Sequence, residues 1–437
     1  DSYHFGQTIA YDFGRPFERG FNGQIGGAFR AAAGPLAIYV RAEYQHAPAA
    51  PAPSPAVVNF ISQADGGTAI GDPAIPLTEI SQGPVQSIDR IQLLDAYATL
   101  NLNNWQFALG RQTLVWGPSP DPLLWSDNIE PVNMVRLANP EPFYLPGFLH
   151  HIGPIQVDQF FGRLGGHPYV PRPFVYGQKV NFKPLPFLEI GLGRRSMLGG
   201  TGSADPLNMR NFIGNFFGIG VGAPPGKPYL ASVPGDAESE LDWTLYIPKI
   251  RNYLVFYGDA YSEDNFLPLQ GPTRSPWHPG IYVPRIPGIP KLDFHMEGVS
   301  MEQNGLISQI GGGNHGIFNY WNQNYPDGNT NYGDLIGNTV GREGRAIRAW
   351  FTYWLSANST LQFTYKHSTV SADFVPGGGT WQDYGVRNEL NFANGLYVKS
   401  EFQYEHIARF PLLFNGPRNN FTAIVEVGFH PLGRLHL

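Results

Sequence analysis

A short polar segment near residue 330 has the residue types and spacing of a cation-binding loop. In Asp327-Gly-Asn-Thr-Asn331, side-chain oxygens stand at alternate positions, as they do in calcium loops. The glycine that such a loop needs comes one position late, at Gly333, and Asn338 occupies the place of the bidentate glutamate. We therefore predict a turn with side-chain-to-backbone hydrogen bonds here, and no metal site. The adjacent pair His150-His151 is likewise interpreted as a membrane-interface feature rather than a metal site.

The residue sets that catalysis requires are absent from the sequence. The chain of 437 residues has no cysteine, which excludes disulfides, zinc–cysteine and iron–sulfur sites and a thiol nucleophile. The glycine-rich segment 311–316 lacks the Lys-Ser/Thr that follows in a phosphate-binding loop. Gly-x-Ser-x-Gly, His-Glu-x-x-His and Ser-x-x-Lys arrangements do not occur. We predict a protein that is not an enzyme and that requires no cofactor.

Composition narrows the class of protein that could hold these residues. Charged residues make up only 15% of the chain and aromatic residues 14%, while 53 glycines and 40 prolines disfavour long helices. The net charge of −6 and the lack of a basic block argue against a nucleic-acid partner. No stretch approaches the ~18 consecutive apolar residues of a membrane-spanning helix. The chain begins at Asp1 without a leader sequence, so we expect any signal peptide to have been removed. A soluble β-rich protein and an outer-membrane β-barrel remain.

Alternating apolar and polar residues predict strands with two unlike faces. Leu361, Phe363 and Tyr365, for example, alternate with polar residues, which is the period of a β-strand. One face of these segments is rich in Phe, Tyr, Leu and Val, while the other carries closely spaced opposite charges. A soluble sandwich would show the same alternation, but segments of ~10 residues joined by alternately short turns and long loops favour a transmembrane barrel. The charged residues that we predict to form a network in its lumen are Arg41, Glu43, Arg387, Glu389, Lys399, Glu401 and Glu405.

The positions of the tight turns set the number of strands. A bacterial single-chain barrel has an even number of strands and short periplasmic turns. Six tight turns are clear, at 31–35, 103–104, 184–186, 248–252, 356–360 and 393–395. We therefore predict an all-β fold, a transmembrane antiparallel β-barrel of about 18 strands with both termini on the turn side. The predicted strands are 3–12, 20–30, 36–46, 89–102, 105–115, 130–138, 154–165, 174–183, 187–195, 240–249, 253–262, 291–299, 313–325, 345–356, 359–371, 381–393, 395–407 and 419–430.

Long extracellular loops gather at the opposite end of the predicted barrel, where we expect function to lie. The first of them contains a proline- and alanine-rich stretch, 47–56, that is typical of a polyproline-like spacer. The dense charges of the lumen indicate that side chains fill it, with or without an inward-folded loop. The long loops are expected at 47–88, 115–130, 197–238, 263–290 and 326–344.

A series of short blocks runs through nearly the whole chain. Their order and spacing resemble the capsule assembly Wzi family of outer-membrane proteins. The blocks are Gly110-Arg111-Gln112, Trp116-Gly117-Pro118, Ser126-Asp127-Asn128, 142–148 with Gly153-Pro154, 188–194, 328–333 with Ile336-Gly337, 374–380 with Asp383-Tyr384, and Gln403-Tyr404-Glu405 with Pro411-Leu412-Leu413.

The resemblance implies an 18-stranded barrel in the outer membrane of a Gram-negative-type bacterium, with both termini periplasmic. Such a barrel binds surface polysaccharide and helps to attach or assemble the capsule. Outer-membrane lipid, lipopolysaccharide and capsule export or assembly proteins are the further partners that it implies. Family members usually carry an N-terminal helical segment that plugs the periplasmic side. This sequence departs from that pattern because strand-like residues begin at Tyr3, so we expect 1–437 to form a single barrel domain.

Candidate polysaccharide-binding residues combine aromatic faces, which stack on the C–H surfaces of sugars, with planar polar groups. Arginines add bidentate binding of carboxylates if the polymer is acidic. The alternative for the aromatic residues is a place in the girdles at the membrane interfaces. For Arg111, Arg194, Arg195 and Arg345 we favour pairing with carboxylates inside the lumen. The candidates are Arg274, Trp277, His278, Tyr282 and Arg285 in loop 263–290, Trp125, Asp127 and Asn128 in loop 115–130, and Tyr169 and Arg172 in a short outer loop at 166–173.

Two other functions stay open on the sequence alone. A cylinder of 18 strands is wide enough to leave an aqueous path, so a porin or saccharide-selective channel is the main alternative to the polysaccharide anchor. An outer-membrane enzyme acting on lipid or glycan is the other alternative, although the sequence offers it no catalytic constellation.

Overall fold

One antiparallel sheet of 17 strands dominates the computed structural model, which describes residues 12–66, 83–220, 233–263, 275–302, 315–316, 319–322 and 324–431. Within this sheet the strands pair in chain order, from β1 with β2 through to β18 with β19. Two further strands of two residues each, β13 and β14, pair with one another within a loop. The strands are β1 Gly23–Ala33, β2 Leu36–Ala47, β3 Ile88–Leu102, β4 Trp105–Gln112, β5 Val132–Ala138, β6 Ile155–Arg163, β7 Phe174–Leu185, β8 Leu188–Leu198, β9 Asp236–Tyr246, β10 Val255–Glu263, β11 Trp277–Val283, β12 Leu292–Ser300, β13 Thr330–Asn331, β14 Asp334–Leu335, β15 Gly344–Trp354, β16 Thr360–Val370, β17 Gly379–Asn391, β18 Leu396–Arg409 and β19 Arg418–Phe429.

The connections between strands alternate between the two ends of the sheet. At one end, the short-turn end, the connections are mostly brief; the longest of them contains a 3₁₀ helix, Gly147–Ile152. At the other, the long-loop end, the strands are joined by long segments such as 48–87, 199–235 and 301–343. All six predicted tight turns lie at the short-turn end, so the predicted asymmetry of the connections is confirmed.

The two faces of the sheet differ in the way that a membrane requires. Along β19, Phe421, Val425 and Val427 are 63–68% exposed on the outward face, while Thr422 on the opposite face is 8% exposed. Outward apolar and inward polar residues in alternation are the pattern of transmembrane strands. Among the residues that the structure describes, no helix is both long enough and apolar enough to cross a membrane.

Two predicted strands need comment, and the other sixteen all overlap observed strands. The strand predicted at 3–12 lies, except for Asp12, outside the described residues. The strand predicted at 313–325 is wrong: its described residues form turns and a single bridge between Asn322 and Tyr325, because asparagines and glycines dominate the segment. Instead, β11 lies in a segment that was expected to be an outer loop. Its Pro279 and Gly280, which are poor strand formers, hid it from the alternation pattern.

The first long loop contains a helix that the sequence did not predict, α1, Pro55–Gly66. Its start is favoured by Pro55 at the first helical position and by Ser54, whose Oγ accepts a hydrogen bond from the backbone N–H of Val57 at 3.3 Å. The apolar side of α1 packs against the loops after β16 and β18, with the Phe60 and Phe374 rings 5.4 Å apart. Part of the long-loop end is therefore covered.

Candidate functional site

Two loops from the long-loop end fold into the space enclosed by the strands and pack against each other. They are the connection between β4 and β5, residues 113–131, and part of the connection between β12 and β15, residues 319–340; together they are named the plug. The largest buried core of the protein lies here, among the plug and inward residues of the strands. Its plug members include Leu114, Trp116, Leu123, Leu124, Trp125, Ile129, Tyr320, Tyr325, Leu335 and Ile336.

Direct hydrogen bonds join the two halves of the plug. Ser126 Oγ donates to the carbonyl of Gly337 at 2.7 Å, and the hydroxyl of Tyr320 donates to the carbonyl of Leu123 at 2.6 Å. Gly337 has a φ of +129°, and a Cβ there would lie 2.6 Å from the Leu123 oxygen, so only glycine permits this approach. Because these partners are about 200 residues apart in sequence, the plug is a tertiary structure and not a local turn.

A buried carboxylate, Asp121, adds a third link between the halves. It accepts hydrogen bonds from the backbone N–H of Thr339 at 3.1 Å and from the Thr339 hydroxyl at 2.5 Å. Burial raises the pKa of Asp121, an effect that the charge of Lys366 and the bonds from Thr339 oppose. The side chain of Asp121 is therefore committed to holding the plug together.

Three inward side chains of the strands bond the plug to the wall. Arg195 on β8 donates through Nη1 to the carbonyl of Leu124 at 2.7 Å and to that of Ile336 at 3.1 Å. Asp259 on β10 accepts from the N–H of Leu123 at 2.6 Å. The carboxylate of Glu297 on β12 accepts from Ser119 Oγ at 3.0 Å. One arginine thus holds the backbone of both halves of the plug.

Paired charges line the inner face of β7 to β12 behind the plug. The ammonium group of Lys179 lies 2.8 Å from Glu240 and 2.6 Å from Asp242. His278 Nδ1 lies 3.1 Å from Asp259, and its Nε2 lies 3.5 Å from Glu297. His278 was expected in an outer loop; that placement is wrong, because the residue is on β11 and only 3% exposed.

Three buried carboxylates, Asp236, Glu238 and Glu263, bring one oxygen each within 4.8 Å of one another. Oxygen donors of this kind suit a hard cation. Each carboxylate already accepts a hydrogen bond, from Asn322, Arg195 and Tyr261 respectively. These bonds account for the cluster as part of the wall–plug contact.

The other predicted lumen charges pair across neighbouring strands more than along one strand. Arg387 lies 2.7 Å from Glu401 on the adjacent strand. The partner of Glu43 is Arg15, at 2.6 Å, and not Arg41, which lies 3.8 Å from Asp95. Two further cross-strand neighbours are Glu389 opposite Lys399, and the buried Glu405 opposite Asp383.

The predicted polysaccharide-binding residues are scattered by the fold. Arg274 lies outside the described residues. Trp277 is on the outward face of β11, with its ring 5.2 Å from that of Trp243. Tyr282 is near the other end of β11 and stacks on His295 at 4.0 Å. Neither belongs to an outer loop, so that expectation is wrong for both.

Four more candidates also differ from the expectation of exposed outer-loop residues. Arg285 is exposed, but in the turn between β11 and β12 at the short-turn end. Trp125 and Asn128 are buried inside the plug, where Trp125 packs on Phe160 at 4.8 Å. Asp127 is half-buried, and burial raises the pKa of its carboxyl group. Neither Trp125 nor Asn128 is available to a polymer in this arrangement.

Tyr169 and Arg172 lie on a ridge at the long-loop end, formed by residues 165–172 and 327–332. The backbone N–H of Tyr332 donates to the carbonyl of Gly165 at 2.8 Å. Three further hydrogen bonds, all of 2.9 Å, join the segments: Gly165 N to Asn331 Oδ1, His167 Nε2 with Thr330 O, and Tyr169 N to Asp327 Oδ2.

The ridge carries an exposed aromatic residue, an exposed arginine and residues of unusual backbone conformation. Tyr332 is 56% exposed, Arg172 is exposed and Tyr169 is half-buried. Val170, Arg172 and Tyr332 have positive φ values of 51°, 59° and 55°. Each such residue costs roughly 1–3 kcal/mol, and residues of this kind cluster at functional sites. Sequence reasoning missed Tyr332, although its place between Gly328 and Gly333 in a polar turn was a usable signal.

The outward apolar face, the charged inner face and the two inward-folded loops define the class: a transmembrane β-barrel whose own loops fill its interior. Residues 1–423 match the family model described as capsule assembly protein Wzi, and the chain belongs to that family. No curated protein matches the sequence.

Among solved structures, the chain is similar to Wzi of Escherichia coli, described as an outer-membrane protein involved in group 1 capsule assembly and as a carbohydrate-binding β-barrel. The identity is 16%, the match covers 94% of this chain and 79% of that chain, and the TM-score is 0.67. OccAB2 of Acinetobacter baumannii matches with 10% identity over 91% of this chain and 88% of that chain, with a TM-score of 0.46. OpdQ of Pseudomonas aeruginosa matches with 10% identity, 92% and 89% coverage and a TM-score of 0.45.

Proposed function

We propose that the protein is a single-domain outer-membrane barrel whose long-loop end binds surface polysaccharide and helps to attach or assemble the capsule. Family membership supports this role, and so does the description of the E. coli relative as carbohydrate-binding. The long-loop end then faces the outside and both termini are periplasmic. Lipopolysaccharide and capsule export or assembly proteins are the expected neighbours, and binding involves no chemical step.

The ridge is the observation that carries the proposal. The ring of Tyr332 lies against Gly165, where a Cβ would come 2.4 Å from Tyr332 Cζ, and the rest of the ring is exposed. An exposed tyrosine ring held in place by its backbone suits stacking on the C–H face of a sugar, because little side-chain freedom is lost. Arg172 is placed to bind a carboxylate of an acidic polymer in bidentate fashion.

Binding by this surface is weak at each sugar unit and strong along the polymer. A repeating chain engages many copies of the barrel, and each engaged site raises the effective concentration of the next. The channel alternative has less support, because the plug fills the interior with a buried core and interlocked hydrogen bonds.

The test is binding of the detergent-purified protein to surface polysaccharide isolated from its own organism. We expect saturable binding that Tyr332→Ala weakens at least fivefold, which corresponds to about 1 kcal/mol per engaged site. Tyr144→Ala is the matched control, since Tyr144 is 55% exposed but lies at the short-turn end. Equal loss in the two variants would remove the ridge from the proposal. Absence of binding by the unchanged protein would overturn the anchor function and favour the alternative function of a porin or saccharide-selective channel.

A further inference from the structure

A short helix, α2, Met209–Phe217, lies on the outside of the barrel wall near the long-loop end. It begins after Asn208, whose side chain accepts from the N–H of Asn211 at 2.9 Å, and it ends at Gly218 in the left-handed conformation. The hydroxyl of Tyr176 on β7 donates to the side chain of Asn215. The helix is therefore fixed to the wall.

The alternation of β6 shows which face of the wall α2 covers. Phe160 points inward, since its ring lies 5.3 Å from that of Trp116 in the plug. The next residue, Phe161, points outward, and its ring centroid lies 6.5 Å from that of Phe212 on α2. Phe212 also packs on Tyr176, with 5.3 Å between ring centroids. Thus α2 sits on the same face that carries the lipid-facing side chains elsewhere on the barrel.

A second apolar stripe on α2 is exposed and is not covered by the wall. Met209, Ile213 and Phe217 follow each other at four-residue spacing and are 73%, 45% and 60% exposed. Exposed Leu207 and Ile219 flank the stripe. So many large apolar side chains are unfavourable in water, because removing apolar surface from water lowers the free energy.

Three arginines lie on the same outward side of the wall as the helix. Arg163 at the end of β6 stacks over Phe174 at 5.0 Å and donates to the carbonyl of Arg172. Arg194 on β8 donates to the carbonyl of Phe216 at 3.4 Å. Arg210 is exposed on α2 itself. Within the described part of the chain, neither Arg163 nor Arg210 forms an ion pair with a carboxylate.

We propose that α2 and these arginines form a site for a phosphorylated lipid of the outer leaflet. The stripe of Met209, Ile213 and Phe217 takes the acyl chains, and Arg163 and Arg210 take the phosphate groups. Two observations favour a lipid as the ligand. The helix lies on the lipid-facing side of the wall, and the positive charges of the arginines complement an anionic headgroup. An apolar stripe beside arginines is the composition of an interfacial helix. The proposal rests on the outer-membrane location and not on polysaccharide binding.

Because the chain has no cysteine, a spin label can be attached at one introduced cysteine. Ile213→Cys is compared in vesicles of phosphatidylethanolamine and phosphatidylglycerol with Val425→Cys on the outward face of β19 and with Ala372→Cys in the exposed loop after β16. Oxygen is concentrated in lipid, and the nickel chelate stays in water. We therefore expect the label at 213, like the label at 425, to be relaxed more by oxygen than by a water-soluble nickel chelate. Stronger relaxation by the chelate, which we expect at 372, would overturn the proposal. Spin–spin broadening at 213 would assign the stripe to a second copy of the chain and overturn it equally.

The headgroup is tested by native mass spectrometry of protein extracted from vesicles with the same two lipids. We expect Arg163→Gln/Arg210→Gln to reduce the retained phosphatidylglycerol, relative to phosphatidylethanolamine, at least threefold. Arg285→Gln, at the exposed short-turn end, is the matched control and should change nothing. Unchanged lipid selectivity in the double variant would overturn the phosphate site. Inorganic phosphate should not displace the lipid, since the acyl chains supply much of the binding.

Discussion

Arg195 and Glu238 form a buried ion pair with two hydrogen bonds, of 3.0 and 3.2 Å, and neither side chain is exposed. The remaining nitrogen of the guanidinium group, Nη1, bonds to one carbonyl from each half of the plug. Loss of the cation would leave a buried carboxylate and two buried carbonyls without their donor. Breaking a buried pair on one side typically costs about 3–5 kcal/mol, so this arginine is a strong link between wall and plug.

Replacing Arg195 with methionine should loosen the plug while leaving the strands in place. We expect Arg195→Met to raise the ionic conductance of the protein in planar bilayers above that of the unchanged protein, because both loops lose their wall contact. Arg387→Met is the control, since the Arg387–Glu401 pair is partly exposed and joins two strands of the wall, β17 and β18. Equal conductance in Arg195→Met and in the unchanged protein, with both folded, would show that the other plug bonds suffice.

Gly166 and Gly202 have the same φ of +79°, but only Gly166 lies against the ridge residue Tyr332. Comparing alanine variants of the two therefore distinguishes the effect of backbone strain from the effect of contact with Tyr332. A Cβ on Gly166 would lie 2.5 Å from Tyr332 Cα, whereas one on Gly202 would meet nothing within 4 Å. We expect both alanine variants to lose about 1 kcal/mol of stability, and only Gly166→Ala to weaken polysaccharide binding, by at least fivefold. Binding isotherms beside denaturation curves would check this. Equal binding by the two variants would argue against Tyr332 as a contact.

The plug should become less stable as the pH rises. Burial, with the charges of Asp12 and Glu130 nearby, raises the pKa of Asp334 to about 8 from an ordinary value of 3.8. Burial also raises the pKa of Asp12 to about 7, against the effect of Arg15. Both groups hold a proton more tightly in the folded protein. Their stabilising contribution is complete below about pH 4 and is lost as the pH rises to about 8.

The measurement for this effect is the denaturation midpoint between pH 5 and pH 8. We expect the midpoint of the unchanged protein to fall over this range, and Asp334→Asn to flatten the dependence, since the amide cannot lose a proton. Asp373→Asn, in an exposed loop, should keep the full slope. A slope that Asp334→Asn leaves intact would mean that other groups cause it.

The residues first proposed for polysaccharide binding should matter for stability instead. Trp277 packs on Trp243. Tyr282 on β11 stacks on His295 of the next strand, and His295 in turn stacks on Trp350. We expect Trp277→Ala/Tyr282→Ala to keep polysaccharide affinity within twofold and to lose at least about 1 kcal/mol of stability, because each aromatic pair is worth roughly 0.5–1.5 kcal/mol. Loss of binding by a variant that is still folded would restore β11 to the binding surface.

The sequence alone was enough to predict most strands of the wall, but it was not enough to predict how the loops fill the interior. Period-two alternation, as in Leu361, Phe363 and Tyr365, reports local geometry, so it located most of the strands, whereas the strand at 130–138 was placed by the requirement for an even number. It failed at Trp277–Val283, where a proline and a glycine interrupt the pattern. Contacts such as that of Ser126 with Gly337 join residues that no local pattern relates. For the same reason Trp125 was expected at the surface and lies in the core.

The ridge and the plug share a single stretch of chain, residues 327–332. Only three residues separate Tyr332 from Ile336, and the carbonyl of Ile336 accepts a hydrogen bond from Arg195 in the wall. A long polymer held at Tyr332 would exert tension, and that tension reaches the wall almost at once. Drag on the capsule would therefore be borne as shear across many strand hydrogen bonds, which must break together, and not as peeling of one loop. Mechanical strength would then come from the same contacts that seal the interior.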